Sequence, residues 1–171
     1  MPPLVGRDPE LAAIDRFLRS IPEGYQAVVF RGGAGYGKSA LLEEAVARAR
    51  VSGFRTLTAR PAATEAELPF GVLAELFESV GMSELDLPAP QARALDVALR
   101  RADPDETRPV DPLGLDLAVV AALRELAREQ PLLVALDDLQ WCDPPSLRTL
   151  DFALRRLQAE QVGLVAGHRS G

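Results

Sequence analysis

Residues 32–39 read Gly-Gly-Ala-Gly-Tyr-Gly-Lys-Ser and match the phosphate-binding loop pattern G-x-x-x-x-G-K-[ST]. Such a loop works where a strand leads into the glycines and a helix leaves them, because backbone N–H groups and the positive helix end then surround phosphate oxygens. Residues 26–30 form an apolar, strand-like run, and residues 39–50 carry helical periodicity. The loop therefore constrains the chain to an α/β fold and indicates binding of a nucleoside triphosphate.

Lys38 is the only lysine of the chain, and every other permanently basic side chain is an arginine. A compact ammonium on a flexible stem reaches between β- and γ-phosphates, where a wide planar guanidinium fits less easily. The hydroxyl of Ser39 is predicted to ligate Mg²⁺. We expect the nucleotide to contact the loop and the start of the helix, at Gly33, Ala34, Gly35, Tyr36, Gly37, Lys38, Ser39 and Ala40.

An acidic pair follows the most apolar segment of the chain. Residues 132–136 read Leu-Leu-Val-Ala-Leu without polar alternation, which predicts a strand buried on both faces. Beside a phosphate loop, the aspartates that follow form a Walker B pattern. Asp137 is predicted to hold Mg²⁺, through water and opposite Ser39. Asp138 is predicted to orient or deprotonate the attacking water, with a simple cap or turn residue as the alternative.

Two other ligands, a dinucleotide and GTP, can be weighed against ATP from the sequence. Residues 35–40 also fit the dinucleotide pattern G-x-G-x-x-A, which requires an acidic residue at the end of the second strand. The chain has Arg60 there; this arginine would suit NADP but would leave Asp137 and Asp138 unexplained. GTP is disfavoured because guanine is generally read by an [NT]-K-x-D motif, and the single lysine is already assigned to the phosphates. ATP is the preferred nucleotide.

Strands and helices alternate along the sequence. We predict strands at residues 26–30, 54–59, 131–136 and 162–166, and helices at 8–21, 39–50, 69–80, 92–101, 113–128 and 143–158, with a polar surface loop at 102–108. This alternation predicts a parallel sheet with right-handed crossovers and helices on both faces. Ligands of such sheets lie beyond the carboxyl ends of the strands, so residues 31–39, 137–138 and 168–169 are expected to converge.

The end of the fourth strand carries two further polar side chains. Arg169 is predicted to sense the γ-phosphate, and the alternative is an ordinary surface arginine. His168 is interpreted as structural, because the sequence offers no cysteine or histidine companions for a metal.

Composition limits the classes of function. The 171 residues suffice for one domain with a core, and the net charge of −6 argues against a nucleic-acid surface. Cys142 is the single cysteine, which excludes an internal disulfide and favours a reducing compartment. There is no signal-peptide pattern at the start, and no apolar run approaches the roughly 20 residues of a membrane helix. We expect a cytoplasmic protein without membrane contact.

Four segments carry a resemblance to a known family. Residues 4–11 resemble the "VGR-x-x-EL" box of the signal-transduction ATPases with numerous domains, and residues 31–42 are similar to their phosphate loop. Residues 136–144 resemble the "DD-x-[HQ]-W-x-D-P" segment of large ATP-binding LuxR-type transcriptional regulators, and residues 68–71 resemble their "LP-[YF]-G" segment.

The resemblance implies an ATP-binding, slowly hydrolysing switch domain. In that family a winged-helix lid, a sensor region and a DNA-binding helix-turn-helix follow, and the fourth strand lies between the phosphate-loop strand and the Walker B strand. We therefore expect residues 1–171 to be one P-loop ATPase domain, truncated before the fifth strand and the lid. Contact with DNA would occur only through a helix-turn-helix outside this chain. Self-association of the domain is compatible with the resemblance. Val5, Gly6 and Arg7 are expected near the adenine and ribose.

Two other functions compete with the switch. A P-loop small-molecule kinase would need an acceptor pocket and an arginine-rich lid, for which the stretch from Arg100 to Arg108 is a candidate. An interaction module would bind nucleotide without turnover. A phosphate-release assay with and without candidate acceptors distinguishes these functions.

Overall fold

A parallel sheet occupies the centre of the fold in the computed structural model, which describes residues 6–103 and 111–170. Within these ranges the strands are β1 (Gln26–Gly32), β2 (Arg55–Ala59), β3 (Leu132–Leu136) and β4 (Val162–Arg169). Their order is β1-β4-β3-β2, and all neighbours are parallel. The predicted position of the fourth strand, between the phosphate-loop strand and the strand before the aspartates, is confirmed.

Helices cover both faces of this sheet, as predicted. They are α1 (Asp8–Ser20), α2 (Lys38–Val51), α3 (Gly71–Leu76), α4 (Ala89–Ala98), α5 (Pro112–Leu126) and α6 (Pro144–Leu154). Helices α1 and α2 pack on one face and share a core with Leu133, Ala135 and Val165 of the sheet. Helices α3 to α6 pack on the other face, against side chains that include Leu132 and Val134. Strand β3 is therefore buried on both faces, as its continuous apolar run predicts.

Several predicted boundaries are wrong. The helix predicted at 69–80 spans only Gly71–Leu76, and the left-handed backbone of Phe70, with φ of 61°, explains its late start. The helix predicted at 92–101 begins earlier, at Ala89, and ends at Ala98. Asp8 before Pro9 predicts an N-cap at Asp8, whereas Asp8 is the first residue of α1 and the N-cap is Arg7. Of the loop predicted at 102–108, residues 104–108 lie outside the described part of the chain.

A close approach between β4 and the end of α1 requires glycine at position 163. A Cβ atom there would lie 2.2 Å from Cδ1 of Ile21 and 3.2 Å from Cζ of Phe17. Both side chains are buried in the core beneath α1 and α2. This contact fixes α1 on the sheet next to β1 and thereby sets the position of Arg7 relative to the phosphate loop.

Candidate functional site

The phosphate loop has the strand-turn-helix context that its sequence requires. β1 leads into residues 33–37, and α2 begins at Lys38. Gly35 and Gly37 have φ of 77° and 73°, a left-handed conformation that glycine adopts without strain. Gly37 is the N-cap of α2 and supplies no side-chain cap, so the first N–H groups of that helix have no capping side chain. These donors and the positive helix end form an anion site.

The ammonium of Lys38 lies folded against this loop. Its Nζ donates a hydrogen bond to the carbonyl oxygen of Gly33 at 2.8 Å, and the side chain is partly buried. Tyr36 is 66% exposed, and its ring covers Gly33, where a Cβ atom would lie 3.2 Å from Cε2. Lys38 is thus held at the loop with its charge available to an entering phosphate.

Arg7 joins the start of α1 to the phosphate loop. Its guanidinium donates to the carbonyl oxygen of Tyr36 at 2.7 Å and to Oε1 of Glu10 at 2.7 Å. The hydrogen bond from Arg7 lowers the pKa of the Glu10 carboxyl below its usual value. Gly6 precedes Arg7 with φ of 74°, and Val5 lies outside the described residues. The segment predicted to lie near the adenine therefore contacts the loop.

The two aspartates after β3 have different environments. Asp137 is only 3% exposed, and its Oδ1 accepts from the backbone N–H of Asp138 at 3.0 Å. Asp138 is partly exposed and has a left-handed backbone, with φ of 52° and ψ of 56°. It opens the 3-10 turn Leu139–Trp141, yet its side chain makes no capping hydrogen bond there. The carboxylate of Asp138 therefore does not serve as a helix cap.

Gly167 is a site residue that the sequence analysis missed. A Cβ atom on Gly167 would lie 2.9 Å from Oδ1 of Asp137. Glycine in β4 thus leaves the space that the buried carboxylate occupies on the neighbouring strand. The pairing of β4 with β3 identifies Asp137 as the neighbour that needs this space, since the two residues are far apart in sequence.

Substitution Gly167→Ala is expected to weaken Mg²⁺-dependent ATP binding, because the new methyl group displaces the Asp137 carboxylate. Overpacking of this kind corresponds to about tenfold in affinity, or about 1.4 kcal/mol. Calorimetry with ATP, in Mg²⁺ and in EDTA, measures the Mg²⁺-dependent part. Gly114→Ala is the matched control, since its Cβ would make ordinary contacts at 3.7 Å in α5. Equal Mg²⁺ dependence in both variants would contradict the expectation.

Arg60 follows β2 and pairs with the buried aspartate. Its Nε lies 3.1 Å from Oδ2 of Asp137, and its Nη1 lies 3.5 Å from Oε1 of Glu43 on α2. The backbone N–H of Arg60 donates to Oε1 of Glu75 at 2.9 Å. A cavity of about 390 Å³ adjoins Asp137 and is lined in part by Arg60, Glu43 and Thr58. The guanidinium of Arg60 therefore has room to leave the carboxylate.

Replacing Arg60 by glutamine is expected to lower the Mg²⁺ concentration that half-saturates ATP binding. In the structure, Arg60 pairs with the carboxylate of Asp137, which is predicted to hold Mg²⁺, so the two cations are expected to compete. The arginine side chain is 59% exposed, and such a pair contributes at most about 1 kcal/mol, which limits the gain to about fivefold. Mg²⁺ titration at fixed ATP measures the shift. Arg60→Lys keeps the charge and should remain close to the wild type; a rise in the Mg²⁺ requirement of Arg60→Gln would refute the competition.

The end of β4 brings the third predicted segment to the same edge of the sheet. β4 extends to Arg169, beyond the predicted end at residue 166, and Arg169 pairs with Gly32 of β1. The backbone N–H of Arg169 donates to Oε1 of Gln140 at 3.0 Å, and the side chain is exposed. His168 is partly exposed and pairs with Arg31 in the register. The predicted convergence of the three segments is confirmed.

Asp143 belongs to the scaffold, as its position before Pro144 predicts. Its Oδ1 accepts from the backbone N–H of Ser146 at 2.9 Å and caps α6. The same carboxylate accepts from the N–H groups of Phe70 at 2.9 Å and Val72 at 3.1 Å, and it is 1% exposed. Asp143 therefore holds the start of α3 against α6.

In the sequence, Cys142 lies between the acidic pair, Asp137 and Asp138, and the capping residue Asp143. Burial, followed by the charge of Asp143, raises the pKa of the Cys142 thiol to about 12. A thiol with this pKa is protonated at neutral pH, which disfavours a nucleophilic role for Cys142.

The fold and the site define a P-loop nucleotide-binding domain. A family model described as "AAA ATPase domain" matches residues 3–165, so the chain belongs to this family. Among solved structures, Cdc6p from Pyrobaculum aerophilum is 18% identical, with a TM-score of 0.65 over 99% of this chain. A chain of Drosophila ORC bound to DNA is 20% identical, with a TM-score of 0.58 over 98% of this chain.

These likenesses show the fold. The present chain spans 40% of the first of those chains and 38% of the second. No curated protein matches the chain significantly. Among the described helices, none has the length and apolar character that a membrane span requires.

Proposed function

We propose that this domain binds ATP with Mg²⁺ and hydrolyses it slowly, as a regulatory switch. The observation that carries the proposal is the meeting of the uncapped phosphate loop with the buried Asp137 at one edge of the sheet. An anion site and a buried carboxylate at the same edge of the sheet, after β1 and β3 on either side of β4, suit a magnesium-nucleotide complex.

The phosphates of ATP fit the loop by charge and by donor geometry. Backbone N–H groups of residues 33–37 and of the first turn of α2 take the phosphate oxygens. Lys38 turns from the carbonyl of Gly33 to the β- and γ-phosphates, which offer a charged acceptor in place of a neutral one. Gly6 and Arg7 lie beside the loop, on the side assigned to the adenosine.

Ser39 and Asp137 would hold the metal. Ser39 lies in the first turn of α2, and Arg60 links Asp137 to Glu43 of the same helix, so the two predicted ligands belong to adjoining segments. A hydroxyl and a carboxylate are the oxygen ligands that Mg²⁺ prefers. Bound Mg²⁺ would neutralise phosphate charge, and the chain's part is to orient it.

Asp138 and Arg169 are assigned to the hydrolytic step. Asp138 would position the attacking water and accept its proton, and Arg169 would respond to the γ-phosphate. Aspartate is one methylene shorter than the glutamate of fast ATPases, and Arg60 neutralises the neighbouring Asp137. Both features favour slow turnover, which suits a switch.

The finer assignment to LuxR-type transcriptional regulators rests on the sequence motifs in residues 4–11, 68–71 and 136–144. In this proposal the nucleotide state of the domain controls a regulator of the signal-transduction ATPase class. DNA is bound by a C-terminal helix-turn-helix elsewhere in the regulator, since the net charge of −6 disfavours contact with DNA by this domain. Self-association of the ATPase domains is part of the same proposal.

Calorimetry with ATP, ADP and GTP, each with Mg²⁺ and with EDTA, tests the proposal. We expect ATP and ADP to bind, Mg²⁺ to strengthen ATP binding, and GTP to bind more weakly. Phosphate release should lie well below the enzyme median of about 10 s⁻¹. Binding without any phosphate release would favour an interaction module. No binding of ATP would refute the proposal.

The small-molecule kinase receives little support from the structure. Arg101, one of the arginines expected in a lid, donates to the backbone carbonyls of Val80 and Phe77. It therefore stabilises the loop after α3, and Arg108 lies outside the described residues. Phosphate release that accelerates with a small-molecule acceptor would favour the kinase.

A further inference from the structure

Another cavity lies among the helices on the face of the sheet opposite α1 and α2. Its volume is about 370 Å³, and its lining comes from α4, α5, α6 and the loop before α3. Apolar side chains, among them Phe70, Ala98 and Leu115, form most of the wall. The residues assigned to ATP and Mg²⁺ do not line it. Apolar walls with a few charged groups, in a volume of about 300–1,000 Å³, are typical of sites for small organic ligands.

Arg100, at the rim of this cavity, occupies a backbone position that glycine usually fills. Its φ is 57°, just after the end of α4. The N–H of Arg100 donates to the carbonyl oxygen of Val97 at 3.1 Å, and the N–H of Arg101 donates to that of Asp96 at 2.8 Å. These two hydrogen bonds form a Schellman motif, in which a left-handed residue ends the helix. A left-handed backbone is unfavourable for arginine, so the turn itself does not explain this side chain.

The cavity carries an excess of positive charge. Arg100 and Arg148 line it and are exposed, and neither guanidinium makes a hydrogen bond or an ion pair with any residue that the structure describes. The carboxylate of Asp116 also lines it, and its Oδ1 accepts from the hydroxyl of Thr149 at 2.6 Å. Two guanidinium groups therefore face one carboxylate, although the chain as a whole has a net charge of −6. This local excess favours an anionic ligand.

One wall of the cavity is fixed by contacts outside it. Phe70 has a left-handed backbone, and its N–H donates to the carboxylate of Asp143 at 2.9 Å. Asp143 is itself 1% exposed and caps α6, the helix that carries Arg148. The aromatic wall and one of the two cations are thus attached to the same buried carboxylate. A site that is held in place before the ligand arrives loses less entropy on binding.

We propose that this cavity binds a small organic acid. Its carboxylate pairs with the guanidinium groups of Arg100 and Arg148, which suit a planar, doubly accepting anion. Its apolar part packs against Phe70 and Leu115. A purely inorganic anion would satisfy the charges but leave the apolar wall uncovered. The site is separate from the phosphate loop, so this inference goes beyond the proposed function and does not depend on it.

NMR titration of the isotope-labelled chain tests the site, with phenylacetate and hexanoate as probes. We expect saturable shifts of the backbone amide signals at residues 97–100 and 148–149. The uncharged amides of the same two acids are the matched ligands, and they should bind at least about tenfold more weakly, because they lose a hydrogen-bonded charge. Equal affinity of acids and amides would overturn the proposal. An absence of saturable shifts at these residues would overturn it as well.

Two substitutions separate binding from structure. Arg100→Gly suits the left-handed backbone, so its urea midpoint should stay close to the wild type while its affinity for the acids falls by about tenfold or more. Arg148→Gln should cause a similar loss of affinity. Arg16→Gln, an exposed arginine of α1 on the other face, is the matched control and should bind the acids like the wild type.

Unchanged acid affinity in both Arg100→Gly and Arg148→Gln would refute the site. Calorimetry with MgATP on Arg100→Gly should give the wild-type affinity, since Arg100 lies away from the phosphate loop. Failure of the wild-type protein to bind ATP would refute the proposed function, and the NMR titration would still decide the acid site.

Discussion

Asp143→Ala is expected to lower the free energy of unfolding by at least about 3 kcal/mol. The helix cap on Ser146 contributes about 1 kcal/mol, and each N–H left without an acceptor, the part-buried one of Phe70 and the buried one of Val72, adds about 1–3 kcal/mol. A domain with about 5–15 kcal/mol of stability would lose a large part of it. Urea denaturation monitored by circular dichroism measures the change.

Asp111→Ala is the matched control for this effect. Asp111 caps α5 by accepting from the N–H of Gly114 at 3.1 Å, and this carboxylate is exposed. Its removal should lower stability by only about 1 kcal/mol, the usual value for a cap that leaves no buried donor. Equal losses in the two variants would show that the contacts of Asp143 with α3 contribute nothing.

The cap function of Asp143 was predictable, but its link to α3 was not. An aspartate before proline is a local signal for a helix start, and the structure confirms it. The contacts with Phe70 and Val72 cross more than seventy residues of chain, with separations of 73 and 71 positions. Local propensity contains no information on contacts of this range, which depend on the packing of α3 against α6.

At the candidate site, too, local motifs could be predicted from the sequence, whereas contacts between distant segments could not. The phosphate loop and the aspartates were readable because each is a continuous motif placed at the end of a predicted strand. Gly167 was missed as a site residue, and Arg60 was considered only for NADP, because the importance of both lies in the side chain of Asp137, which follows another strand. A signal did exist for Gly167, since a glycine in a strand interior often marks a close approach.

The predicted boundaries of some helices were wrong for a related reason. Helical spacing of Leu11, Ile14, Phe17 and Leu18 predicts one buried face of α1, and the last three are buried while Leu11 is partly buried against the same core. It cannot detect the left-handed Phe70, which shortens α3 at its start, because bulky residues seldom adopt that conformation. The carboxylate of Asp143 accepts the N–H of Phe70 and stabilises this strained turn from a distant part of the chain.

Lys38→Ala is expected to weaken ATP binding by about 1.5–3 kcal/mol, or about 10- to 150-fold in affinity. The substitution removes the only lysine side chain of the chain from a loop that otherwise offers phosphate mainly backbone N–H groups. Calorimetry with MgATP measures the loss. Lys38→Arg keeps the charge but replaces a compact head with a planar fork, so its affinity should lie between those of the wild type and the alanine variant.

Lys38→Ala should weaken ATP binding but leave the free energy of unfolding nearly unchanged. Asp143→Ala, in contrast, is expected to lower the free energy of unfolding. The ammonium of Lys38 bonds the carbonyl of Gly33 in a partly exposed loop, where water can replace it. Urea midpoints of Lys38→Ala and wild type should therefore agree, whereas their ATP affinities differ. Equal ATP affinities at equal stability would mean that the loop binds phosphate through its backbone alone. The role assigned to the single lysine would then have to be withdrawn.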